Sequence, residues 1–245
     1  MGKINDVHIH LGPSGPWKPN LDPSTTVEQV LEFKRKNNID KCVVFPNPWV
    51  GSKYPEMNDY IIKAAREYPG EFIPFGRIDP RDKEEAKKEV RRLARKGIAG
   101  IKVHPVVECF RPDHPFFLDV YQEIVKHRMF IIAHSYDTGF GNASYWKPVC
   151  NRLGNLKLIL CHINKEAITL LANYENVFVD TSATFVKSRF DISKLDSRKI
   201  LLGSDYPYVD DIPRQLKKIE RLNFNGYEKK NILHRNFNRL FKDFI

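Results

Sequence analysis

The sequence predicts a single-domain (β/α)8 TIM barrel spanning residues 1–245, and three observations carry that expectation. Eight short apolar runs recur at intervals of about 30 residues, amphipathic segments lie between them, and no Gly/Ser-rich or charge-block linker interrupts the chain. The runs are Ile4–His8, Lys41–Phe45, Phe72–Gly76, Gly100–Val103, Phe130–Ala133, Lys157–Cys161, Val177–Val179 and Ile200–Leu202. Strands apolar on both faces are what a parallel sheet covered by helices requires. An open doubly wound sheet is the competing topology, but its usual G-x-G-x-x-G phosphate loop follows none of the runs.

The intervening segments read as helices in turn: Thr26–Asn37, Glu56–Tyr68, Lys83–Lys96, Phe117–His127, Ala143–Leu153, Lys165–Asn173 and Ile212–Leu222. Phe185–Leu195 is the weakest and reads as a loop with one or two helical turns. The densest charge run, Arg81–Lys96, mixes both signs and keeps Ala86, Val90, Leu93 and Ala94 at helical spacing. It therefore reads as a solvated amphipathic helix and not as a nucleic-acid surface. Asn223–Ile245 alone follows the last unit, which leaves no room for an appended β-sandwich.

At 42% hydrophobic and 29% charged residues, the composition excludes global disorder and fibrous architectures. No run approaches the ~20 apolar residues of a membrane span, and Met1-Gly2-Lys3 leads into no apolar signal segment. A soluble, cytoplasmic protein without a membrane partner is expected. The four cysteines, Cys42, Cys109, Cys150 and Cys161, are widely spaced with no CxxC pair, so they are expected to be free thiols, mostly buried. The formal net charge of +10 admits nucleic acid, an anionic substrate or simple solubility. Oligomeric state is open, a homo-oligomer included.

The chemistry gathers at the strand ends. The first strand ends Asp6-Val7-His8-Ile9-His10, and histidines at i and i+2 of a strand share a face, roughly 6–7 Å apart. That spacing suits two ligands converging on one ion. The fifth run is followed by His134, the sixth by His162, and the eighth by Gly203-Ser204-Asp205. In a parallel barrel every strand's C-terminus opens on one face, so His8, His10, His134, His162 and Asp205 are expected to meet at a common mouth. Lys102 ends the fourth strand with His104 on the same face. Arg77 follows the third strand and offers bidentate recognition of a carboxylate or phosphate, with an ion pair to a loop acid as the alternative. Trp17, Trp49 with Tyr54, Phe110, Tyr136 and Phe140 lie on loops after strands and are candidates for a pocket wall. Glycines suggest a lid at Gly139–Ser144. His114, His127 and His234 fall away from strand ends and are assigned to the surface.

These motifs resemble the amidohydrolase superfamily, specifically its amidohydrolase-related branch of small hydrolases and decarboxylases. The resemblance runs from DVHIH through GIAGIKVHP, IIAHS, LILCH and GSDYP to the terminal NILHRNFNRLF, nearly the whole chain. It implies that His8, His10, His134 and Asp205 hold one divalent ion with water in an open position. The donor set suits zinc, with manganese, iron, cobalt or nickel as alternatives, and a bound ion lowers the pKa of its water towards neutrality. Asp205 would then be general base and acid, and His162 would polarise the substrate carbonyl or steer the water. A two-metal version would add a second ion through His162 and a carboxylated Lys102. KVHP instead resembles the one-metal branch, with Lys102, His104 and Arg77 facing a small anionic substrate.

A metal-dependent hydrolase of a small anionic amide, lactam or lactone is the first expectation. The alternative is non-oxidative decarboxylation of an aromatic or unsaturated acid at the same site. A TatD-like deoxyribonuclease ranks lower, because Gly100-Ile101-Lys102-Val103 puts a cation where that group needs an acid. A catalytically silent binding barrel is opposed by the intact ligand set.

Overall fold

A computed structural model describes residues 2–13, 24–49, 53–183, 185, 191–209 and 211–245. Eight parallel strands, β1 (Ile4–Leu11), β2 (Ile39–Pro46), β3 (Phe72–Arg77), β4 (Gly100–Val103), β5 (Phe130–Ala133), β6 (Lys157–Leu160), β7 (Val177–Asp180) and β8 (Ile200–Leu201), pair in chain order. Backbone hydrogen bonds close the barrel between β1 and the segment after β7. Val7 N donates to Leu202 O at 3.0 Å, Asp205 N to His8 O at 2.9 Å and His10 N to Tyr206 O at 2.8 Å. The result is the expected (β/α)8 TIM barrel.

The helices are α1 (Val27–Asn37), α2 (Tyr54–Glu67), α3 (Lys83–Arg95), α4 (Leu118–Lys126), α5 (Trp146–Arg152), α6 (Lys165–Asn173), α7 (Ile212–Arg221), α8 (Gly226–Lys230) and α9 (Asn236–Leu240). Their boundaries follow local chemistry. Thr26 and Gln29 close a capping box on α1 and Asn38 ends it at φ 56°, while prolines open α2 and α7. Ala143–Tyr145, expected as part of a helix, forms a separate 3-10 turn before α5. Of the weak Phe185–Leu195 pattern, Ile192–Lys194 is a 3-10 turn; 186–190 lie outside the described residues.

Apolar side chains divide into two cores, as a barrel demands. One fills the space between strands and helices, with Ile9, Val44, Ile101 and Ile131 meeting Val30, Leu93 and Ile124. The other lies inside the barrel and includes Val43, Phe75, Phe130 and Ile159. Phe237 and Phe241 of the terminal segment belong to this inner core, with Phe241 5.9 Å from the Phe75 ring and 5.0 Å from the Phe130 ring. The chain's end therefore plugs the end of the barrel opposite the mouth, which leaves the C-terminal face for polar chemistry.

Candidate active site

Strand register brings the polar residues inward. β1 carries a bulge between Asp6 and Ile9 against β2. Val7 accordingly belongs to the inner core while Ile9 and Leu11 belong to the outer one, and His8 and His10 reach the mouth. His162 and Asp205 have φ of 61° and 65°, left-handed values that are strained for side chains other than glycine. Hydrogen bonds hold both backbones: His162 N donates to Asp180 Oδ1 at 2.9 Å, and Asp205 N to His8 O. Gly203 needs to lack a side chain, since a Cβ there would lie 3.1 Å from His8 Cβ and 3.2 Å from Asp180 Cβ.

The five expected residues form one contact chain. Asp205 Oδ1 lies 3.0 Å from His8 Nε2 and 3.2 Å from His10 Nε2, and His162 Nε2 lies 3.1 Å from His134 Nδ1. His8, His162 and Asp205 each offer a ligand atom within 4.8 Å of the others, so they could hold a metal ion. His10 adjoins that group through Asp205, and His134 adjoins it through His162. Burial pushes His10 down to about 3 and His162 down to about 4, and holds His104 and His134 well below the usual imidazole range. Burial alone would raise Asp205, but His8 and His10 beside it hold its carboxyl well below the usual carboxylate range. His10, His134 and His162 are thus neutral donors beside an ionised carboxylate, as a divalent cation needs. His8, which burial alone would lower, is instead raised well above the usual imidazole range by Cys161, Asp205 and Asp180 around it, so an incoming cation would displace its proton.

Lys102 and His104 face the mouth as expected. Lys102 is buried, its Nζ 2.9 Å from Cys161 Sγ, 3.4 Å from His8 Nε2 and 4.7 Å from the Phe45 ring centre. His104 stacks on His134 with ring centres 3.7 Å apart, and its Nδ1 accepts from Val107 N. Arg77 is fully buried and takes the ion-pair alternative: Nε lies 3.0 Å from Glu108 Oε1 and 3.1 Å from the Tyr54 hydroxyl, while Nη2 has no partner. Tyr54 is thereby drawn into this cluster and Phe110 into the core. Trp17 lies outside the described residues. The Gly139–Ser144 segment is pinned by Tyr136 N donating to Gly141 O at 2.7 Å.

Sequence reasoning missed four groups. Asp180 Oδ2 lies 2.8 Å from His8 Nδ1, and Ser182 Oγ lies 2.8 Å from His162 Nδ1. Cys161, expected only as a packed thiol, forms a second potential ligand group with His8 and Asp180. Glu108 ties Arg77 to β4's loop by accepting from His104 N at 2.6 Å. Asp180 had a signal, since VFVD ends an apolar run on an acid just as LLGSD does. Two rings frame the mouth: Tyr136, one of the expected wall residues, stacks on His162 at 5.4 Å, and Tyr208, which the sequence did not single out, meets His10 edge-on at 4.8 Å.

The family model described as Amidohydrolase matches residues 6–242. No curated protein matches the sequence. Among solved structures, the fold is similar to 2,6-dihydroxybenzoate decarboxylase from Rhizobium, with TM-score 0.80, 14% identity and 99% of each chain covered. It is also similar to 5-carboxyvanillate decarboxylase from Sphingomonas paucimobilis, with TM-score 0.79, 17% identity and 99% of each chain covered. A dihydroxybenzoic acid decarboxylase from Polaromonas sp. JS666 with bound manganese and 2-nitroresorcinol has TM-score 0.79 at 13% identity, covering 99% of this chain and 97% of that one. At these identities the structural likeness speaks for the fold.

Proposed function

The chain belongs to the amidohydrolase family, and from that premise we propose that it catalyses the metal-dependent, non-oxidative decarboxylation of a small aromatic carboxylic acid. The carrying observation is a mouth framed by rings over a cluster of metal-ligand groups. Tyr136 on His162 and Tyr208 against His10 present aromatic surfaces beside Asp205, which suits a planar substrate. The solved decarboxylases of dihydroxybenzoate and carboxyvanillate that share this fold support the same reading. Decarboxylation thereby moves ahead of hydrolysis, the order opposite to the sequence expectation.

In this reading His8, His10, His134 and Asp205 would hold one divalent ion, either zinc or the manganese held by the Polaromonas enzyme. When bound, the ion supplies a Lewis acid for the substrate's anionic oxygens. Lys102 and His104 orient the substrate's anionic end. Asp205 takes a proton from the substrate hydroxyl or from water and delivers it to the ring carbon bearing the carboxylate. The electron pair of the breaking carbon–carboxylate bond stays with the ring, and carbon dioxide leaves. His162, steadied by the Ser182 hydroxyl, hydrogen-bonds the substrate's oxygen. Arg77 acts from behind, through Glu108 and the His104 backbone.

Hydrolysis of an anionic amide, lactam or lactone is the second reading, favoured by Asp205 lying within hydrogen-bond distance of two imidazoles, as a general base at a metal-bound water would. Incubating metal-loaded protein with hydroxybenzoates, lactones and amides separates the two. Chelator-sensitive carbon dioxide release from a hydroxybenzoate is expected. Metal-dependent opening of a lactone or amide, with every aromatic acid left intact, would replace this reading with the second.

A further inference from the structure

We infer that the barrel floor beneath β4–β6, at the end opposite the mouth, is a docking face for an anionic lipid surface. Strand register gathers its cations. Gly100, Phe130 and Lys157 are successive partners across β4, β5 and β6, so the turns entering these strands lie side by side, about 5 Å from strand to strand. Lys96, Lys126, Arg128 and Lys157 are exposed there, with Arg95 at the end of α3. Lys157 Nζ lies 4.8 Å from the Phe130 ring centre and that ring lies 5.0 Å from Phe241, so the exposed Lys242 next to Phe241 joins the same patch. None of these six cations enters an ion pair among the described residues. Glu123 is engaged by Arg91 and His127, and Asp243 is a single charge against six. Elsewhere on the same floor the charges pair off, Lys3 with Asp40, Lys34 with Glu71, Arg198 with Asp196 and Lys199 with Glu175. Helix dipoles account for Arg95 and Lys126 in last turns, but Lys157 opens a strand and Lys242 sits in a 3-10 turn, where that account does not reach. Phe244 and Ile245 follow Lys242 and are 37% and 47% exposed. Apolar tips beside cations match a lipid headgroup layer, with the charges at the anionic groups and the tips at the acyl boundary. A nucleic acid would use the cations and leave both tips in water. The expectation of no membrane partner rested on the lack of a spanning run, which a peripheral contact does not need. Docked by its floor, the barrel turns its mouth towards water, open to a small soluble acid.

The test is co-sedimentation of the full chain with vesicles of phosphatidylcholine containing a third phosphatidylserine, set against vesicles of phosphatidylcholine alone. Wild type is expected to pellet with the anionic vesicles only, and to be released as salt rises. Lys126→Glu combined with Arg128→Glu is expected to weaken binding at least about ten-fold. Lys63→Glu combined with Lys88→Glu makes the same charge change at exposed positions of α2 and α3, and is expected to weaken it far less. Phe244→Ser is expected to weaken vesicle binding while leaving retention on heparin unchanged, which a purely electrostatic polyanion site would not show. Pelleting with both kinds of vesicle or with neither, binding to heparin or RNA without binding to vesicles, or equal losses in the two charge-reversed proteins would each overturn the inference. The wild-type comparison between the two vesicle types decides the matter whether or not the variants fold.

Discussion

His8 is held from both sides, by Asp180 Oδ2 at its Nδ1 and by Asp205 Oδ1 at its Nε2. A ring fixed at one nitrogen presents the other in a single direction, and loss of such an outer partner typically weakens metal affinity about 10–100-fold. Asp180→Asn should therefore fold normally and bind zinc or manganese more weakly by that factor, measured by competition with a chelating dye. Unchanged affinity would mean that the strand geometry alone aims His8. The Arg77–Glu108 pair makes a different demand. Arg77 is wholly enclosed, so Glu108→Gln strands a buried charge and should cost about 3–5 kcal/mol. Urea unfolding checks this, and an unshifted midpoint would show that Tyr54 and the Pro46 carbonyl suffice for the guanidinium.

At the scale of elements, the strands were legible because buried parallel strands are continuous apolar runs, and their functional ends were legible because polar residues terminate them. Every run found in the sequence lies within or across an observed strand. The bulge in β1 was not legible, since alternation across Asp6–Ile9 depends on pairing with β2. Glu108 and Ser182 escaped for a related reason: they come from loops, whose paths follow from contacts made across the barrel. Arg77 was read as facing substrate because the sequence does not reveal that Glu108, 31 residues on, turns back to it. Gly100 in β4 shows how tightly the inner layer is filled. A Cβ there would lie 2.7 Å from the Phe130 carbonyl and press on the Phe75 ring. Gly100→Ala should cost about 1–3 kcal/mol by overpacking, read as a lowered melting temperature. An unshifted melting curve would mean that the Phe75 layer is looser than the structure indicates.

Taken whole, the molecule plugs one end of its barrel with Phe237 and Phe241 and gathers its buried histidines and carboxylates at the other. Among the described residues no helix is long and apolar enough to cross a membrane. The net charge of +10 is not concentrated in the charge-dense helix, where Lys87, Lys88 and Arg92 pair with Glu84, Glu85 and Glu89. The metal-loaded protein should accordingly leave single- and double-stranded DNA uncut at low salt, and metal-dependent nicking on a gel would contradict that. The proposed decarboxylation turns on proton delivery by Asp205 to an aromatic carbon as carbon dioxide departs. Turnover of dihydroxybenzoates by the metal-loaded protein in deuterium oxide, followed by proton NMR and mass spectrometry, reads that step. Expected is a product carrying a single deuterium at the carbon that lost its carboxylate, formed by wild type and abolished by chelator and by Asp205→Asn. Turnover that survives Asp205→Asn with the same labelling would contradict it.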